Sequence, residues 1–200
     1  MKKITKVFLC VFMLAALFAY GAEAASGIKV GDIIPFGAYS WRVLDVQDGK
    51  ALLLSELALG VGEYNEKFTA VTWETCTLRL FLNEGFYNEF SAEEKARIAE
   101  TTLPNNDNPL FGTSGGNDTS DKIFLLSIEE VKKYFGDSGQ LDNSALIALS
   151  SNGAASEWWL RSPGVSETSA ASVSEGGEFD FYGEATSMSK DIRPALWLTL

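Results

Sequence analysis

Apolar and polar positions alternate with a period of two at both ends of the chain and take helical spacing in between. Residues 32–36 (Asp32-Ile33-Ile34-Pro35-Phe36) predict a short first strand, placed at a sheet edge because Pro35 has no N–H for a ladder. Residues 40–46 and 51–55 predict two further strands. Asp48-Gly49 between them is a strong hairpin signal, since a type I′ turn needs positive φ at both central positions. A two-residue loop pairs Val46 with Ala51, Leu44 with Leu53 and Val43 with Leu54. Both faces of this hairpin are apolar, so at least one strand is expected to be central and covered.

Thr72 or Thr75 is placed to cap a helix running through Leu78, Leu82 and Phe86. Leu78, Phe81 and Leu82 fit one buried stripe, and Asn83-Glu84-Gly85 is expected to end the helix. Ser91-Ala92-Glu93-Glu94 is a capping box for a short helix over 92–99. Ser127-Ile128-Glu129-Glu130 is another, for a helix reaching Phe135 and stopping at Gly136. Residues 122–126 read as a strand and 143–149 as a further short helix. Residues 103–121 form a long polar loop, and loops of that length inside a domain are usually functional or disordered.

The C-terminal third carries two strand blocks, 157–164 and 192–200, with a hairpin between them. Placing residues 175–177 in a three-residue loop sets Val173 against Phe179 and Ala171 against Phe181. A one-residue slip would put those apolar side chains on the wrong face. In the last strand Leu196, Leu198 and Leu200 share one face, and Ala195, Trp197 and Thr199 the other. Strands at both ends with short helices between them give an α+β class, not an alternating βαβ one. The N- and C-terminal strands are expected to pair in a shared antiparallel sheet, because each otherwise leaves an apolar face open.

Composition adds a compartment. Lys2, Lys3 and Lys6 precede an apolar run over residues 7–20, and Ala22-Glu23-Ala24 fits a small-x-small cleavage site. Residues 1–24 are expected to be a signal peptide cleaved near Ala24, leaving one domain over 25–200, extracytoplasmic and without a membrane span. Cleavage leaves 13 basic and 26 acidic residues and a net charge of −13. So acidic a chain lacks the basic footprint that nucleic acid requires. Cys76 is then the one remaining cysteine, so no internal disulfide forms. The chain contains no histidine, which excludes Ser-His-Asp and Cys-His catalysis and His-rich zinc sites.

Two groups of residues carry candidate chemistry. In a strand, Trp158 and Leu160 face one way and Trp159 and Arg161 the other. An exposed Trp159 beside Arg161 would stack on a sugar or a partner side chain; alternatively both tryptophans are core and Arg161 pairs with an acid. The long loop adds Asn117 and Asp118 as candidate ligand contacts. Asn105, Asp107 and Asp121 offer hard oxygens suited to calcium. Turn formation explains these same residues and, without EF-hand spacing, is the preferred account. Arg42 and Arg193 are expected in structural ion pairs. No pair of carboxylates stands out for glycoside hydrolysis.

A wider pattern ties these residues together. Trp41-Arg42-Val43-Leu44, Leu78-Arg79, Asn108-Pro109, Lys122-Ile123-Phe124-Leu125-Leu126-Ser127, Trp158-Trp159-Leu160-Arg161-Ser162-Pro163-Gly164 and Arg193-Pro194-Ala195-Leu196-Trp197-Leu198 span nearly all of the chain after residue 24. The set resembles the bacterial domain-of-unknown-function family six-two-seven-three. More distantly it is similar to C-type-lectin-like folds, which include the formylglycine-generating enzymes. The resemblance implies a single C-type-lectin-like domain of a secreted or surface protein. The chain lacks the paired cysteines of that oxidase and the Glu-Pro-Asn sugar-calcium motif of animal lectins, so their activities do not transfer. The expectation is a non-catalytic binding module for a glycan or a cell-surface protein. A carboxylate-based hydrolase and a structural spacer are the alternatives.

Overall fold

The hairpin turn forms as its residues dictate. In this computed structural model, which describes residues 27–136, 141, 143–150 and 152–200, Asp48 has φ 50° and Gly49 φ 70°. The expected signal peptide and its cleavage point lie outside the described residues. Strands β1 (Ile33–Phe36), β2 (Tyr39–Gln47) and β3 (Lys50–Ser55) form an antiparallel meander with β1 at its edge. Val46 pairs with Ala51 as the two-residue loop requires, but the register shifts beyond Asp45. Val43, not Leu44, lies opposite Leu53, and Arg42 opposite Leu54. A bulge at Leu44 inserts an extra residue into β2, which corrects the uniform pairing expected from the turn alone.

After β4 (Val61–Glu63) the chain enters one irregular helical stretch. A 3₁₀ turn (Trp73–Thr75) leads into α1 (Thr77–Leu80), then a π turn (Phe81–Gly85) and a second 3₁₀ turn (Phe86–Glu89). Leu78, Leu82 and Phe86 are buried as expected, whereas Phe81 is 50% exposed. The wider π turn rotates the residues after Leu80 off the α phase, so the stripe skips Phe81, and the stretch runs past Gly85. Both capping boxes form, at Ser91 and at Ser127. Helix α2 (Ala92–Arg97) ends two residues before Ala99, because β5 (Ile98–Ala99) joins a sheet.

Strands β6 (Thr101–Leu103) and β7 (Thr119–Asp121) pair and close the long loop at its base. Residues 122–126 are not a regular strand. Ile123, Phe124, Leu125 and Leu126 are buried, Lys122 is half-buried, and the segment touches the sheet through one bridge, Phe124 to Ala195. Helix α3 (Ile128–Tyr134) follows and ends before Gly136, whose φ is 86°. Residues 143–149 divide into a 3₁₀ turn (Asn143–Leu146) and β8 (Ala148–Leu149), which pairs with β9 (Ala155–Ser156).

Strands β10 (Trp158–Pro163), β11 (Ser169–Val173), β12 (Phe179–Ala185), β13 (Ser189–Asp191) and β14 (Ala195–Thr199) complete the chain. Val173 faces Phe179 as expected, but a shift between Ala170 and Ser172 moves Ala171 out of register with Phe181. Two five-stranded sheets result, ordered β1-β2-β3-β14-β5 and β12-β11-β10-β13-β4. The last strand inserts antiparallel between β3 and β5, so the N- and C-terminal strands share a sheet and Trp41 and Trp197 lie in the same layer. Trp158 and Trp159 belong to the second sheet. The class is α+β, mostly sheet with a few short helices.

One continuous core joins both sheets, and Trp41, Trp73, Trp158 and Trp159 all sit in it. Arg42 forms its expected ion pair, with Glu56 at 2.5 Å. Arg193 does not. Its buried guanidinium donates to the carbonyls of Ser55 and Ala145 at 2.9 Å and lies 5.2 Å from the Trp158 ring. Burial pushes it down to about 10. Among the described residues no helix is long and apolar enough to cross a membrane.

Candidate functional site

The Trp158-Trp159 strand is covered on both faces, so every residue of β10 is buried. The Trp159 indole N–H donates to the Gly62 carbonyl at 3.0 Å, and Tyr64 packs against its ring edge at 5.8 Å. Arg161 is 2% exposed. It donates to the carbonyls of Leu125 at 2.9 Å and Pro104 at 3.2 Å and pairs with Glu130. The exposed tryptophan beside an arginine that a stacking platform needs is therefore not at Trp159. The core arrangement holds there, because a strand buried on both faces hides both sides of its alternation.

The loop oxygens serve the loop. Asn105 donates to the Asn117 carbonyl at 2.7 Å, and its own N–H donates to Asp118 at 3.3 Å. Asp107 accepts from the Gly115 N–H at 3.0 Å, and Asn117 donates to Glu74 at 3.0 Å. Asp121 is buried; it accepts from the Trp73 indole and the Thr119 hydroxyl at 2.9 Å and from Arg79 at 2.7 Å. The Asn105 and Asp107 bonds are those of turn-forming residues, whereas Asp121, in β7, and Asn117 tie the loop to the helical stretch at residues 73–79. Among the described residues no three His, Cys, Asp or Glu side chains gather as a metal site requires. Arg161 Nε and Asn105 Oδ1 are buried without a hydrogen-bond partner among the described residues, beside a crevice too narrow to admit a water molecule.

The loop is instead built to hold its tip still. Asn108, 1% exposed, donates to the carbonyls of Pro163 and Phe181 at 2.9 Å. Its carbonyl accepts from the N–H groups of Leu110 at 2.9 Å and Phe111 at 3.3 Å. This clamp fastens the tip to β10 and β12 and leaves Leu110 and Phe111 facing outward. The Phe111 ring lies 4.7 Å from that of Tyr182, which is 64% exposed, and Val165 is exposed on the backbone beside Tyr182. The sequence offered the loop as functional or disordered and singled out its polar residues, with turn formation as their preferred account, but not these apolar ones. The available signal was Asn108-Pro109 followed by two large apolar residues within a polar stretch.

A second feature lies on the other sheet. Trp197, half-buried, lines an open groove of about 320 Å³ with Gln47, Asp48, Lys50, Glu100 and Thr102. Alternation had already set it apart from the leucines of its strand, with only Ala195 and Thr199 on its own face.

Cys76 is the remaining reactive side-chain type. It is fully buried, and burial pushes its thiol up to about 12, so it stays protonated at neutral pH and is no nucleophile. Its sulfur accepts from the Arg79 N–H at 3.4 Å and caps α1. Burial likewise raises the Tyr64 phenol, which donates to the Arg161 carbonyl at 2.8 Å.

A family model described as "Domain of unknown function (DUF6273)" matches residues 48–200. No curated protein matches the chain, and no solved structure does.

Proposed function

The chain belongs to the family of that domain of unknown function, a membership that assigns no activity, and we propose that it is a bacterial, secreted or envelope-associated, non-catalytic binding module for a glycan or protein ligand. The observation that carries this reading is the loop tip. Four hydrogen bonds at one buried amide, two donated and two accepted, hold the backbone of Leu110 and Phe111, with Phe111 against Tyr182, while leaving these side chains in solvent. A folded chain gains little from exposing an ordered aromatic pair, whereas a binding surface gains from rigid aromatics that lose little entropy on contact. The lysine-led apolar segment over residues 7–20 supports the extracytoplasmic assignment. A C-type-lectin-like organisation fits the terminal strands sharing one sheet while a long loop stands on the other.

The test is capture. Immobilised wild-type chain and a Phe111→Ser/Tyr182→Ser double variant are presented to a glycan array and to an extracellular protein fraction. The wild type is expected to retain a defined ligand that the folded double variant releases. Retention of the same ligand by both, or of nothing by the wild type, overturns the reading.

A further inference from the structure

The chain has five tryptophans, and four of their indole N–H groups are used inside the fold. Trp41 donates to the Phe36 carbonyl at 2.8 Å, Trp73 to Asp121 at 2.9 Å, Trp158 to the Leu146 carbonyl at 3.0 Å and Trp159 to the Gly62 carbonyl at 3.0 Å. The fifth, Trp197, finds no acceptor among the described residues. It is also the one tryptophan that the core does not enclose. An indole N–H placed away from any internal acceptor is left for water or for a ligand.

We infer that the groove at Trp197 is a carbohydrate-binding site. The platform is rigid: β14 lies between β3 and β5, with Trp197 opposite Leu52 on one side and Ala99 on the other. Half-buried Trp197, its backbone fixed in mid-sheet, is the apolar side chain that the groove has for the C–H face of a sugar. The remaining walls come from an amide, two carboxylates, an ammonium and two threonines: Gln47, Asp48, Glu100, Lys50, Thr101 and Thr102. That set both donates and accepts, as the hydroxyls of a sugar demand. At about 320 Å³ the groove is near the lower bound, roughly 300 Å³, of small-molecule sites, so it seats one or two sugar rings. Glu100 is already paired with Lys122 at 3.8 Å and accepts from the Ser120 hydroxyl, so Asp48 and Lys50 balance within the lining, and the chain's net charge of −11 disfavours an acidic sugar against a neutral or amino one. The groove shares no residue with the loop tip, so the two sites stand or fall separately.

The experiment follows the five indole N–H resonances of the ¹⁵N-labelled chain by NMR. Cellobiose, chitobiose, maltose and lactose are titrated in, with glucuronate and sialyllactose as acidic comparisons. At least one neutral disaccharide is expected to move the Trp197 peak while the four internally bonded indoles stay still. Trp197→Ala is expected to weaken that binding by about thirtyfold, the factor given by a hot-spot loss of ~2 kcal/mol. The four remaining indole peaks show whether this variant is folded. Should it not fold, Glu100→Gln keeps the ring and is expected to weaken binding several-fold. A Trp197 peak unmoved by every sugar, unchanged affinity in the folded variants, or tightest binding of the acidic sugars overturns the inference.

Discussion

The amide of Asn108 donates to the carbonyl of Pro163 at 2.9 Å, across 55 residues of chain, and this contact joins the long loop to the end of the tryptophan strand. The same nitrogen also serves Phe181, and the carbonyl of the side chain serves Leu110 and Phe111. Removing the side chain leaves buried donors and acceptors without partners. Asn108→Ala is expected to cost about 2–4 kcal/mol, because each orphaned buried group costs roughly 1–3 kcal/mol and the losses overlap. Asn108→Asp should cost at least as much, since it turns a carboxylate toward two carbonyl oxygens. Urea denaturation gives the cost, and faster amide exchange at Leu110 and Phe111 shows that the tip is released. Native exchange there in the alanine variant refutes the clamp.

Asp121 makes a second prediction, one that separates a structural carboxylate from a calcium ligand. Its oxygens accept from Trp73, Thr119 and Arg79. Asp121→Ala strands the guanidinium of Arg79, whose side chain is 21% exposed and so is partly rescued by water. The expected loss is about 3 kcal/mol, the low end for breaking a buried ion pair. Asp121→Asn should lose less. Millimolar calcium is expected to leave the wild-type melting temperature unchanged, and a rise of several degrees would show that the loop oxygens do converge on an ion.

Cys76 predicts the alkaline limb of stability. Its thiol titrates near 9.0 when free and is pushed up to about 12 in the fold. The unfolded chain therefore loses this proton first, so the contribution is complete below pH 9 and is lost as pH rises toward 12. Tyr39, hydrogen-bonded to Glu89 and raised from 10.0 to about 12, acts in the same direction. Arg193, lowered from 12.5 to about 10, acts in the opposite one. Comparison with Cys76→Ala isolates the thiol. The advantage of the wild type should shrink by about 1.4 kcal/mol per pH unit between roughly pH 10 and 11. A pH-independent difference means that the thiol is not held protonated. An aromatic disulfide reagent should label Cys76 only after unfolding.

Local rules carried much of this fold. The Asp48-Gly49 turn, the two capping boxes, the edge position of Pro35 and the pairing of Val173 with Phe179 each depend on neighbours in sequence, and each was legible. The bulge at Leu44, the π turn after Leu80 and the bridge at Phe124 depend on what lies across the core, and no local pattern encodes them. The candidate site failed for a related reason. Alternation shows that Trp158 and Trp159 point to opposite faces, but not that both faces of their strand are covered. Trp197 was the readable exception, since its own face of β14 otherwise holds only Ala195 and Thr199.

Two glycines at positive φ separate backbone strain from steric exclusion. Gly49 has φ 70° at the hairpin tip, and a Cβ added there meets nothing within 4 Å. Gly183 has φ 66° in β12, and a Cβ there would lie 2.1 Å from the Ala170 carbonyl oxygen. Gly49→Ala thus carries only the left-handed penalty, about 1–2 kcal/mol. Gly183→Ala carries that penalty and a collision with β11, a strand buried throughout that cannot retreat. Its cost should exceed that of Gly49→Ala by at least about 2 kcal/mol, the scale of overpacking a close-packed interior. The clash sits beside the register shift between β11 and β12, and Tyr182 is the residue before it. Relieving it must displace Tyr182 from Phe111, so ligand retention by the loop tip should fall along with stability. Paired urea curves for the two variants, with the capture assay run in parallel, check both parts. Equal costs would show that β11 yields, and full capture by a destabilised Gly183→Ala chain would show that the aromatic pair does not depend on the shifted register.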